Sequence, residues 1–257
     1  MTYLEQQLEF ESTHYHDAYL DRRITSRMRR TDADSYDDYQ MVLEQDPAER
    51  TALLDALSIN VTRFFRNPGV WGTIRSVLRS LSADRQLVRV WSAPCSDGRE
   101  PFSVAMLALD DPAIDADRVR ITATDINADV ISRARRAAYR TTHTTDIEKE
   151  LEPLDSVGSY VETDGPTVHL TDTVRSMVTF RQHDLIRDDP PGTFDLVLCR
   201  NLLIYIDAEY KAPIFETLID SLTADGFLVI GMTETLPGTV RNRFEPVDKS
   251  HRIYRLQ

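Results

Sequence analysis

From Leu87 onward, short apolar runs alternate with stretches of helical period, and this alternation constrains the fold more than any other feature of the chain. Residues 87–93 (LVRVWSA), 119–124 (VRITAT), 178–182, 194–199 (FDLVLC) and 227–231 (FLVIG) read as strands. Between them, 101–109, 128–138 and 208–222 read as helices. Strands alternating with helices build an α/β fold with a mostly parallel, doubly wound sheet. Right-handed crossovers then place ligand loops at the strands' carboxyl ends. Residues 244–247 and 252–256 predict a terminal hairpin, and 160–170, turning at Asp164-Gly165-Pro166, a small β-hairpin insertion.

The first eighty residues lack this alternation and read as helical. Leu20, Ile24 and Met28 form one apolar stripe at i, i+4, i+8. Residues 10–19, 39–57 and 70–81 are also helix-like, with Asp46-Pro47 as a turn or helix start and Asn67-Pro68-Gly69 as a break. The expected organisation is a helical domain over 1–80 and an α/β domain over 81–257.

Charge narrows the function classes. Among 257 residues, 30 Lys+Arg against 42 Asp+Glu give a net charge of −12. That argues against a general nucleic-acid binder, which needs a cationic face for the phosphates. No run of about 18 apolar residues is present, so no membrane insertion is expected. The acidic start Met1-Thr2-Tyr3-Leu4-Glu5 does not read as a secretory signal. Cys95 and Cys199 cannot make a disulfide framework, and a reducing cytoplasm is expected. The six histidines show no zinc-binding spacing with these cysteines, so no metal is expected. Arg outnumbers Lys 27 to 3 and Asp outnumbers Glu 28 to 14. Adaptation to concentrated salt and GC-rich codon usage account for this equally well.

The polar residues concentrate at the predicted strand ends. After the first strand comes the small-residue turn Ala93-Pro94-Cys95-Ser96-Asp97-Gly98, which opens a helix and is either a place where backbone amides approach a ligand or a plain tight turn. It holds one glycine and is not a dinucleotide fingerprint. Asp125 ends the second strand, as a ribose acceptor or as an N-cap of the next helix. Asp184 and Leu185 follow the third strand, and Arg200 and Asn201 the fourth. Outside the sheet, Asn60-Val61-Thr62-Arg63-Phe64-Phe65-Arg66 sets a cation beside two aromatics expected to be buried.

These motifs resemble those of the chemotaxis receptor glutamate O-methyltransferases, the CheR family. The Asn60 to Arg66 block is similar to the family's Asn-x-Thr-x-Phe-Phe-Arg, and Cys199-Arg200-Asn201-Leu202-Leu203-Ile204-Tyr205-Ile206-Asp207 to its Cys-Arg-Asn-x-x-Ile-Tyr-Phe-Asp. Ser96-Asp97-Gly98-Arg99-Glu100-Pro101-Phe102-Ser103 resembles its Ser-x-Gly-Glu-Glu-Pro-Tyr-Ser, with Arg99 in place of the first Glu. Ala123-Thr124-Asp125-Ile126 matches as it stands, and residues 231–234 occupy the place of Gly-His-Ser-Glu. The resemblance covers nearly the whole chain. It implies a class I S-adenosylmethionine (SAM) dependent methyltransferase sheet with a small all-helical N-terminal domain, no metal, and S-adenosylhomocysteine as product.

The resemblance further implies that Asn60, Thr62, Arg66, Glu100, Asp125, Asp184, Leu185, Arg200 and Asn201 contact SAM. Asp125 would take the ribose hydroxyls, Asp184 and Leu185 the adenine, and Arg66 and Glu100 the amino-acid end. Glutamate is already ionised at neutral pH and is its own nucleophile. Catalysis is then mainly alignment and desolvation, with Arg66 and Tyr205 as candidates for placing the acceptor carboxylate; a capping or core role for Tyr205 stays open. The implied partner is the cytoplasmic helical bundle of a methyl-accepting chemotaxis receptor, met by a monomer through Arg23, Arg27 and Arg30 on the arginine-rich stretch 22–30. A methyltransferase with another acceptor, or a non-enzymatic SAM-binding adaptor, are the alternatives.

Overall fold

In the computed structural model, the structure describes residues 2–8, 12, 15–57, 62–142 and 145–257. The chain divides into two compact units, 1–61 with 202–211, and 62–201 with 212–257. The boundary therefore falls at 61/62 and not at 80. The reason is helix 69–84, whose apolar residues Val70, Ile74, Val77, Leu78 and Leu81 belong to the core of the sheet.

The first unit holds α1 (Thr2–Gln7), α2 (Asp17–Met28), α3 (Tyr36–Gln45) and α4 (Pro47–Leu57). The stripe Leu20, Ile24, Met28 packs into a core with Leu4, Tyr39, Leu43, Leu53 and Leu57. Ser35 caps α3 by accepting from the Asp38 amide, which stabilises a helix start by about 1 kcal/mol. Of the expected helix over 10–19, residues 10, 11, 13 and 14 lie outside the described residues; among the rest, α2 begins at Asp17, and Tyr15 pairs with Ile206 in an isolated antiparallel bridge. Aromatic residues there were committed to the 202–211 segment, a non-local partner that periodicity does not reveal.

The second unit carries α5 (Gly69–Asp84), β1 (Val88–Ser92), α6 (Arg99–Asp110), β2 (Val119–Asp125), α7 (Ala128–Arg136), β3 (Ala138–Arg140), α8 (Ile147–Glu150), β4 (Val161–Asp164), β5 (Thr167–Leu170), α9 (Asp172–Arg175), β6 (Val178–Gln182) and β7 (Phe194–Cys199). The end of α10 (Ala208–Asp220), then β8 (Leu222–Ile230), β9 (Phe244–Asp248) and β10 (Ile253–Leu256) complete it. The seven-stranded sheet runs β6-β2-β1-β7-β8-β10-β9. Pairs β6/β2, β2/β1, β1/β7 and β7/β8 are parallel, and β10 is antiparallel to both its neighbours. From β1 the chain winds outward to β6, then returns to the other side of β1 with β7. The strand order thus reverses between β1 and β7, where doubly wound sheets place their ligands.

The expected helix 128–138 stops short. Ala137 takes a left-handed conformation (φ 49°), and the next three residues pair with β5. Pairing with a distant strand overrides the helix preference of alanine. The 160–170 hairpin forms as β4 and β5, and β3 extends it to a three-stranded sheet. Among the described residues no helix is long and apolar enough to cross a membrane.

Candidate functional site

The site assembles at the carboxyl ends of β2, β1 and β7. Past β1 the chain turns through Ser96 (φ 49°) and Gly98 (φ 89°) into α6. A Cβ on Gly98 would lie 3.0 Å from the Ala134 Cβ and 3.1 Å from the Phe102 ring. Only glycine accommodates both the left-handed backbone and this approach.

Asp125 ends β2 and is 9% exposed. Its Oδ2 accepts from the Ser96 amide (2.9 Å) and its Oδ1 from the Asn127 amide (3.1 Å). The N-cap of α7 is Asn127, which accepts from the amides of Asp129 and Val130, so the capping alternative for Asp125 does not hold. Burial pushes the Asp125 carboxyl up, against the opposing pull of the Asn127, Ser96 and Ile126 amides. Each carboxylate oxygen offers about two acceptor directions, so the group keeps acceptor capacity for a hydroxyl beside these amides. The His183 amide donates to the Asp125 carbonyl (3.0 Å), and this register brings Asp184 and Leu185 past the end of β6. There the Asp184 amide donates to Asp188 (2.8 Å), and the Asp184 carboxylate accepts from the Ile186 amide (2.8 Å). Asp188-Asp189-Pro190-Pro191 is the turn between β6 and β7.

At the β1/β7 reversal, Arg200 pairs with Glu100 (Nη1 to Oε2, 3.1 Å), and both side chains are largely buried. Ser92 Oγ donates to the other Glu100 oxygen (2.9 Å). Arg200 Nη2 donates to the Arg66 carbonyl (2.9 Å) and to Asn67 Oδ1 (3.0 Å), and its guanidinium carbon lies 5.8 Å from the Trp71 ring centroid. A buried pair of this kind is fixed only where further hydrogen bonds complete it. Here Ser92, Arg66 and Asn67 do so, and Arg200 Nε remains buried without a partner.

The aromatic block behaves as its sequence predicts: Phe64 and Phe65 are buried. Phe65 packs edge-on against Trp71 at 5.2 Å, and Trp71 Nε1 donates to the Arg66 carbonyl (3.1 Å). Arg66, half-buried, therefore has its main chain fixed by two donors.

Thr62, Arg66, Glu100, Asp125, Asp184, Leu185, Arg200 and Asn201 all lie in the second unit. Asn60 lies outside the described residues. Tyr205 belongs to the first unit, where its ring sits 4.8 Å from that of Tyr19 and its carbonyl accepts from the His16 amide (3.1 Å).

The arginine face needs correction. Arg27 is turned inward, and its Nε and Nη2 clamp the Glu49 carboxylate, which also accepts from Tyr39 OH (2.6 Å). Arg23 is half-buried with its guanidinium over the Tyr19 ring at 5.4 Å. Arg27 lies three residues after Ile24, at the edge of the buried stripe, and the partner that draws it inward is on α4. The exposed arginines of this stretch are Arg22, Arg29 and Arg30.

Sequence reasoning passed over three residues. Glu234, buried, accepts from the amides of Gly231 and Asn201 and so fixes Asn201 in its left-handed conformation (φ 63°). Its signal was its place in the 231–234 motif. Ile126 stands 44% exposed immediately after Asp125, an apolar surface on the rim of the site. Arg99 Nη1 donates to the Thr62 carbonyl (2.8 Å). Cys95 and Cys199 are buried free thiols, and burial pushes both well above the usual thiol range.

A doubly wound sheet with a buried acid after β2 and a buried acid–guanidinium pair at the strand-order reversal defines a nucleotide-cofactor site of the methyltransferase kind. Residues 60–253 match the description "CheR methyltransferase, SAM binding domain", and residues 1–58 match "CheR methyltransferase, all-alpha domain". The chemotaxis protein methyltransferase of Listeria innocua is 30% identical over 235 residues, 91% of this chain and 87% of that one. That of Listeria monocytogenes is 32% identical over 224 residues, 86% and 83%. That of Salmonella typhimurium is 30% identical over 226 residues, 85% and 76%. The chain belongs to the CheR methyltransferase family.

The donor set fits SAM. The buried acceptor Asp125 suits vicinal hydroxyls, and paired charges at Glu100 and Arg200 suit a zwitterionic amino-acid end.

Proposed function

We propose that the protein is a SAM-dependent glutamate O-methyltransferase of chemotaxis receptors, acting in sensory adaptation. The observation that carries this reading is the convergence of Asp125, the Glu100–Arg200 pair and the 62–66 segment on one sheet edge, in a chain whose both parts match the family. When bound, SAM supplies an electrophilic methyl group on a sulfonium. Asp125 accepts the ribose hydroxyls, Ile126 packs beside the base, and the 184–185 turn bounds it. Glu100 and Arg200 orient the amino-acid end. Arg66 draws in and aligns the acceptor carboxylate, and Tyr205 is the second candidate for that role. A carboxylate is a sufficient nucleophile once oriented and desolvated, so these residues act by placement.

The protein acts in the cytoplasm as a monomer on the helical bundle of a receptor. Arg22, Arg29 and Arg30 form the exposed cationic face that meets it. The test is incubation of the purified protein with methyl-labelled SAM and host membranes. The expected result is label in the receptor band, released by mild base as an ester would be. Label in another acceptor contradicts the receptor assignment. SAM binding without transfer to anything makes the protein an adaptor.

A further inference from the structure

Arg99 is where the sequence departs most sharply from the family motif, with a guanidinium in place of a carboxylate. It is the first residue of α6, and a helix N-terminus disfavours a cation. The compensation lies in what it touches. Nη1 donates to the Thr62 carbonyl at 2.8 Å. The guanidinium carbon stands 5.2 Å from the Tyr139 ring centroid and 5.8 Å from that of Phe64, within cation–π range. Asp97 lies 3.6 Å from Nε. The Arg99 carbonyl accepts from Ser103 Oγ (2.7 Å), which in turn accepts from the Phe65 amide (3.0 Å). One residue thus grips the 62–65 segment twice, through its side chain and through its main chain.

The gripped segment needs holding. Phe65 and Asn67 are non-glycine residues in left-handed conformations (φ 48° and 59°), which persist only where the surroundings fix them. Further anchors come from the three-stranded sheet and the short helix beside it. Glu150 accepts from the Phe64 amide (2.9 Å), and Tyr139 stacks edge-on against Phe64 at 4.8 Å while its OH donates to the Asp97 carbonyl (2.8 Å).

We propose that Arg99 is a positioning residue for methyl transfer: it holds the 62–66 segment in the shape that presents Thr62 and Arg66 to SAM and acceptor, with Tyr139 and Glu150 as co-anchors. The proposal rests on the SAM site described under Proposed function. The contacts with Thr62 and the two rings also account for a cation at the first position of α6.

The test compares wild type with Arg99→Lys, which keeps the charge but loses the planar fork, and Arg99→Glu, which installs the family's residue. Thermal melting establishes folding, calorimetry gives SAM affinity, and steady-state methylation separates kcat from KM for SAM. Both folded variants should lose about 10- to 100-fold in kcat and bind SAM more weakly, with Lys between wild type and Glu. A folded Glu variant with wild-type kcat and KM overturns the proposal, because a carboxylate cannot donate to the Thr62 carbonyl. If neither variant folds, Arg99 is a stability residue and the proposal is equally overturned. The calorimetric comparison needs no receptor. A wild-type protein that binds SAM but methylates no receptor therefore defeats the acceptor reading and still leaves Arg99 to be decided.

Discussion

Asp125 illustrates how much one side chain carries and how it becomes legible. An acid at the end of an apolar run, inside a repeating strand–helix pattern, is either a candidate ligand contact or a helix cap. The structure gives it two amide donors and burial. Asp125→Ala should weaken SAM binding by about 1.5–3 kcal/mol, the range for a hydrogen bond to a charged group. Titration calorimetry reads this directly, and unchanged affinity removes Asp125 from the site. The places of Arg200 and Asn201 just past β7 were legible in the same way, while Glu100 was singled out only by the resemblance. Arg99 and Glu234 were not. Their partners, Thr62 and Asn201, lie tens of residues away, and no periodicity encodes a hydrogen bond of that span.

Elements show the same division. Strands 178–182 and 194–199 were legible to the residue: Phe194–Cys199 is an apolar run buried on both faces, and Val178–Gln182 is an edge strand that buries Val178 and Phe180 on one face only. The end of α7 and the inward turn of Arg27 were not, since each depends on a partner from another element. Arg27 joins α2 to Glu49 of α4 in a part-buried pair. Burial pushes the Glu49 carboxyl up, but hydrogen bonds from Arg27 and Tyr39 outweigh it and hold the group below its usual range. Arg27→Ala leaves that carboxylate buried without its cation and should destabilise the helical unit by about 3–5 kcal/mol. Denaturant unfolding followed by circular dichroism checks this, and a loss below about 1 kcal/mol contradicts an inward structural role. Asp248, near the C-terminal turn, is likewise held low, by hydrogen bonds from Ser250 and His251 that outweigh the opposing effect of burial, with a smaller contribution from Thr73. A carboxyl whose folded value is depressed adds stability above its unfolded value near 4, and that stability fades as pH falls through the folded value. The unfolding midpoint should therefore hold steady from pH 7 to about 5 and drop below about 4. Asp248→Asn should flatten part of that drop, and an unaltered profile rules the group out as a contributor.

At the scale of the molecule, a net charge of −12 coexists with an exposed arginine face at 22, 29 and 30. Composition showed the contrast, but only the structure separated these arginines from the inward Arg27. Exposed pairs contribute about 0–1 kcal/mol each, so the triple change Arg22→Ala, Arg29→Ala, Arg30→Ala is the informative one. It should slow receptor methylation at low receptor concentration in dilute salt and leave SAM affinity unchanged. The difference should shrink near 1 M salt, where the Debye length is about 3 Å. Equal rates at both salt levels make the face a solvated surface. The binding and methylation expectations depend on a SAM site at the carboxyl ends of β2, β1 and β7. The most direct measurement of that claim is a crystal structure with S-adenosylhomocysteine. Its ribose hydroxyls should lie on Asp125 and its amino-acid end at the Glu100–Arg200 pair. A ligand bound elsewhere, with Asp125 and Glu100 untouched, contradicts it.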